Sequence, residues 1–148
     1  MNAGKKPTAD DAAAPEYADI PGTYVFDGRH ARKGYHLNMF CMSLNDADNR
    51  AAFKRDEAAY LDRFPMTEAQ RKAVLARDYL GMLQLGGNIY YTFKIAALDG
   101  LSMQHVGALM ASPRMSVDAF RAMMLRGGRP IENMRSKREQ GGGETGDG

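Results

Sequence analysis

Apolar residues recur along this chain at helical spacing, and no segment shows the strict alternation of a half-buried strand. Leu37, Phe40, Cys41 and Leu44 follow i, i+3, i+4, i+7, which predicts a helix over about residues 28–45 with Gly34 near its start. A second helix is predicted over about 48–63, with Phe53, Tyr60, Leu61 and Phe64 on one side and Asp48 or Asn49 as its cap. Thr67-Glu68-Ala69-Gln70 is a capping box, in which threonine and glutamine satisfy each other's backbone donors. It opens a third helix whose stripe is Val74, Leu75, Tyr79, Met82 and Leu83, ending at Gly86-Gly87. A fourth helix spans about 88–98 and stops near Asp99-Gly100. Ser102 caps a short fifth helix through Met110, and Ser116 caps a sixth over 117–126 that ends at Gly127-Gly128. The expected fold is all-α, a compact bundle of five or six short helices.

The join between the third and fourth helices is the most informative stretch, Gly86-Gly87-Asn88-Ile89-Tyr90-Tyr91. One glycine can take the left-handed conformation that ends a helix, and Asn88 can cap the next one. Ile89, Tyr90, Phe93 and Ala97 then share a face with Lys94 beside them, and the two tyrosines are expected on the inner elbow of a sharp corner. This is a shape for packing or docking, not a set of reacting groups. Outside the helices, residues 1–15 read as a disordered lead and 136–148 as a flexible glycine-rich tail, flanking a helical domain over 16–135. Pro21-Gly22 predicts a type II turn near the start of that domain.

A length of 148 residues suits one domain with a modest core, and the net charge of +2 gives no electrostatic footprint for nucleic acid. No apolar run is long enough to span a membrane. The polar, alanine-rich N-terminus lacks the apolar core of a secretory signal, so a cytoplasmic location is expected. The lone cysteine, Cys41, excludes an internal disulfide and reads as a small buried hydrophobe. Eleven methionines and no tryptophan suit either a methionine-rich core or a surface that repacks against a partner.

Candidate chemistry is sparse. His30, His36 and His105 show no metal-ligand spacing, so solvent-facing or singly hydrogen-bonded histidines are expected. Arg32-Lys33-Gly34-Tyr35 is a basic, aromatic cluster able to hold a carboxylate or to form a solvated first turn. Asp56-Glu57 and Arg77-Asp78 read as solvated faces or intrachain ion pairs. Residues 102–126 roughly match the spacing of a DNA-binding helix–turn–helix, but Asp118 would sit on the reading helix and the surrounding charge is weak. No nucleic-acid partner is expected.

Several blocks, taken together, resemble a known family over about residues 17–130 in collinear order. They are Arg32-Lys33-Gly34-Tyr35-His36-Leu37-Asn38 with Phe40 and Met42-Ser43-Leu44; Asn49-Arg50, Phe53-Lys54, Asp56-Glu57 and Tyr60-Leu61-Asp62; and Val74 to Tyr79, Gly86 to Tyr91, Lys94 and Asp99-Gly100. This pattern is similar to the small (alpha) subunit of protocatechuate 4,5-dioxygenases, which are type II extradiol ring-cleavage enzymes. The resemblance implies a catalytic beta subunit as partner, in an alpha2beta2 heteromer, with Fe(II) and the catalytic histidines in that partner. It implies that this chain binds no cofactor, holds no catalytic residue or metal ligand, and helps enclose a catechol at the shared pocket. Candidates for the pocket or partner surface are Arg32, Tyr35, Asn38, Asn88, Tyr90, Tyr91, Lys94 and Met103. The reading from another class is a non-catalytic helical binding or regulatory module.

Overall fold

The six helices expected from the apolar pattern are all present, and the first three are each divided in two. The computed structural model of the chain describes residues 25–111 and 114–128, so the expected lead, the tail and the Pro21-Gly22 turn lie outside the described residues. Within the unit Phe26–Arg129 run α1 (Gly28–Lys33), α2 (Tyr35–Ser43), α3 (Ala47–Arg55), α4 (Glu57–Leu61) and α5 (Glu68–Leu75). They are followed by α6 (Tyr79–Gln84), α7 (Ile89–Leu98), α8 (Met103–Met110) and α9 (Val117–Leu125), with no strand among the described residues.

The divisions have local causes. Asp56 lies in extended backbone, and its carboxylate accepts from the Ala59 amide, so it ends α3 and caps α4. Aspartate competes with helical continuation in this way because its short side chain can bond to nearby amides. Asp78 does the same for α6 through the Gly81 amide, one residue after Arg77 takes a left-handed φ of 54°. The capping box at Thr67 and Gln70 forms as expected, and Ser102 and Ser116 cap α8 and α9. The cap of α3 is a correction: Asp46, not Asp48 or Asn49, occupies it and accepts from both of their amides.

Leu37, Phe40, Cys41 and Leu44 are all buried, as the stripe predicts. Phe40 meets Phe53, Tyr60 and Phe64 at ring-centre separations of 5.2, 6.0 and 5.7 Å, tying α2 to α3 and α4. On the third stripe, Val74, Tyr79 and Met82 are buried but Leu75 is exposed, because Ala73 and Val74 take the inward positions at the end of α5. The core face of α7 is Thr92, Ile95 and Ala96, with Tyr91 packed partly against it. Among the described methionines Met82 alone is fully buried, while Met39, Met42, Met103 and Met124 are exposed.

One arginine joins three parts of this bundle. Arg77 donates through Nη1 and Nη2 to Glu57 at 3.1 and 2.5 Å, and through Nε and Nη2 to Asp99 at 2.6 and 3.3 Å. A further bond to the Val74 carbonyl holds the corner where α5 turns into α6. Partial burial by itself favours the neutral form, but the hydrogen bonds Arg77 donates to Asp99 and Glu57 outweigh it and hold the guanidinium above its ordinary pKa. The planar fork is what allows one side chain to serve two carboxylates at once. We expect Arg77→Met to lower stability by about 1–3 kcal/mol in urea unfolding, with Arg77→Lys recovering only part. Equal stability of Arg77→Met and the parent would remove this network from the account.

Two buried acids set the alkaline limit. Burial pushes the Cys41 thiol up to about 12, against a smaller opposing effect of Lys94. Burial and then the Asp99 charge push the Tyr79 hydroxyl up to about 12, and that hydroxyl has no hydrogen-bond partner among the described residues. Both groups keep their protons in the folded chain at pH values where the unfolded chain has lost them. The unfolded state therefore binds fewer protons, and stability falls as pH rises through about 9 to 12. Tyr79→Phe is expected to cost no stability at neutral pH and to shallow the fall above about pH 10. A flat stability profile between pH 9 and 11 in the parent chain would contradict this.

Candidate functional site

The corner foreseen at residues 86–91 is built by two backbones in direct contact. A Cβ on Gly34 would lie 1.8 Å from the Gly86 carbonyl oxygen, and one on Gly86 would lie 2.4 Å from the Gly34 nitrogen. Gly86 also has a φ of +96°, so its lack of a side chain is required twice over. Gly34 is where α1 gives way to α2, and the close approach explains why the first predicted helix bends there.

Two buried amides lock the contact. Asn38 donates from Nδ2 to the Gly86 carbonyl at 3.0 Å and accepts on Oδ1 from the Asn88 amide at 2.9 Å. Gln70, from α5, donates from Nε2 to the carbonyls of Lys33 and Leu85 at 2.9 and 3.0 Å, while its Oε1 accepts from the Thr67 amide. The Lys33 ammonium donates to the Gln84 carbonyl at 3.1 Å. Asn88 in turn caps α7, accepting from the Tyr90 amide at 2.9 Å. These bonds satisfy backbone groups that the helix ends leave unpaired inside the protein.

The crossing sets the first turns of α2 and α7 in fixed positions, and each presents an aromatic residue outward. Tyr35 is 56% exposed, with its ring edge-on to His36 at 5.1 Å, and Tyr90 is 80% exposed. Arg32 is exposed in the last turn of α1. The other sequence candidates part company with these three. Asn38 is a correction: it is buried, and both ends of its amide are taken up inside the crossing, so it offers nothing to a partner. The elbow is corrected too, since Tyr90 faces out while Tyr91 is half-buried against the core. Asn88 serves α7 as its cap.

Lys94 lies one turn beyond Tyr90 on α7 and lines a groove of about 430 Å³ with Arg50 and Lys54 of α3. Met103 is exposed on α8, where it joins Phe120, Met124 and Leu125 along a separate apolar groove of about 450 Å³. The α9 helix buries none of its residues. Sequence reasoning missed Gly34 and Gln70 as parts of the corner. Their partners are 52 and 15 residues away, so no local pattern announces them. It also missed the pairing of Arg50 with Lys54, although like charges four residues apart on a helix are a visible signal.

The histidines have separate local tasks. His30 Nδ1 lies 3.0 Å from Asp27 Oδ1, His36 is exposed beside Tyr35, and His105 completes a capping box with Ser102. Among the described residues no three His, Cys, Asp or Glu side chains converge. No helix among them is long and apolar enough to cross a membrane.

The family model of the aromatic-ring-opening dioxygenase LigAB, LigA subunit, matches residues 37–125. The match takes in most of α2 and all of α3 to α9, and with them Asn38, Gly86 and Asn88.

Replacing Asn38 by leucine would leave the Gly86 carbonyl and the Asn88 amide buried without partners. We expect a loss of about 2–4 kcal/mol in chemical unfolding, and a larger loss for Gly34→Ala, whose methyl meets backbone that cannot rotate away. Wild-type stability for Gly34→Ala would show that the two backbones do not touch.

Proposed function

Because this chain belongs to the LigA-subunit family of LigAB-type aromatic-ring-opening dioxygenases, we propose that it is the accessory subunit that covers the ring-opening site of a catalytic partner chain. The substrate we assign is protocatechuate, opened by 4,5-cleavage, or a related catechol. The observation that carries the docking part of this reading is the exposed pair Tyr35 and Tyr90, held on either side of a rigid backbone crossing.

Large, flat side chains with a polar tip are suited to an interface, since they bury much area at small cost in conformational entropy. Both tyrosines sit on first turns that are fixed by hydrogen bonds, so little backbone ordering remains to be done on docking. Fe(II) in the partner supplies open coordination positions for a catecholate and O₂. The work we assign to this chain is different: to close the mouth of the pocket, exclude bulk water and limit how the ring can lie. Arg32, exposed beside the same crossing, is available to a carboxylate of the partner or of the substrate.

The test is ring cleavage by the iron-loaded partner with and without this chain, using protocatechuate under anaerobic loading followed by O₂. Turnover is expected to rise at least about tenfold when the chain is added, a change of about 1.4 kcal/mol in the barrier. Tyr90→Ala is expected to weaken association while leaving helicity unchanged. If the two chains neither associate nor alter turnover, the protein is a helical binding module and the subunit reading fails.

A further inference from the structure

The groove beside α7 gathers positive charge. Arg50 and Lys54 stand four residues apart on α3, Lys94 faces them from α7, and among the described residues no carboxylate lines the recess. Like charges at this spacing repel on a helix surface. Arg50 is anchored by one nitrogen, Nη1, which donates to the carbonyls of Leu44 and Asn45 at 2.9 Å each, so its charge cannot swing away. Leu44, Asn45, Ala97 and Leu98 complete its lining. A cleft lined by three cationic side chains attracts an anion.

We propose that this groove receives an acidic segment of the catalytic partner chain, a stretch with at least two Asp or Glu carboxylates, and so forms the second half of the docking face that begins at Tyr90. This rests on the subunit reading above. Three features favour a protein segment over a small anion. The groove is open, so each charge pair stays partly hydrated and contributes little alone. A free anion would have to offset its whole loss of translational freedom from those contacts, whereas a carboxylate delivered by a larger interface does not. Lastly, Tyr90, Lys94 and Ala97 follow i, i+4, i+7 on α7, so one outward stripe about 10 Å long leads from the crossing into the groove.

Charges placed this way chiefly raise the rate and selectivity of association. The test is association of the full chain with the catalytic partner, followed by surface plasmon resonance at about 0.05 and 0.5 M NaCl, a range over which screening becomes strong. Lys54→Glu/Lys94→Glu is expected to bind at least about thirtyfold more weakly at low salt, with most of the difference lost at high salt. Circular dichroism and Tm establish that the variant is folded, and Lys54→Gln alone gives a milder version that leaves the half-buried Lys94 untouched. Parent-like binding by the folded double variant overturns the proposal while leaving the subunit reading intact. So does a parent chain whose binding ignores salt, or binding lost equally on adding millimolar succinate, which would make the groove a small-anion site. Failure of the parent to bind the partner at any salt overturns both.

Discussion

The contact between Gly34 and Gly86 decides where every other functional feature lies. Two backbones meet with no side chain between them, and the start of α2 is thereby fixed against the turn that launches α7. Asn38 and Gln70 then convert that contact into a hydrogen-bonded joint that reaches α1, α2, α5, the end of α6 and the 86–88 turn. Without the joint, Tyr35 and Tyr90 would belong to helices held together by side-chain packing alone. With it the two helix starts that carry them are fixed against each other.

The face and the core divide the work between them along α7. Thr92, Ile95 and Ala96 turn inward and are buried, while Tyr90 is left outside and Lys94 edges the cationic groove. Arg77 secures the far end of the same helix through Asp99, some distance from the docking stripe. In the proposed docking, stability and recognition draw on different sides of one ten-residue helix.

The extent to which the sequence could be read follows from the range of the forces involved. Stripes such as Leu37, Phe40, Cys41 and Leu44, and caps such as Thr67 with Gln70, are local, and both are plain in the chain itself. The breaks at Asp56 and Asp78 were harder, because an aspartate inside a helical pattern reads equally well as a surface charge until its carboxylate is seen to cap the next turn. Asn38 was misplaced for a related reason: an asparagine one turn into a helix looks available, and only contacts 48 and 50 residues away reveal that it is spent. Tyr90 and Tyr91 are adjacent in sequence, so 100° of helical rotation decides between an exposed ring and one packed on the core. The grooves under Lys94 and Met103 depend on which helices come together, and no periodicity reports that.

Side-chain footprinting on the complex addresses the docking face most directly. Hydroxyl-radical labelling of Tyr35 and Tyr90 in the free chain should be high, in keeping with their exposure, and should fall severalfold when the catalytic partner is added, while buried Tyr79 stays low in both states. Undiminished labelling of both tyrosines in an assembled, active complex would contradict the account, because the crossing would then hold up a face that the partner never meets.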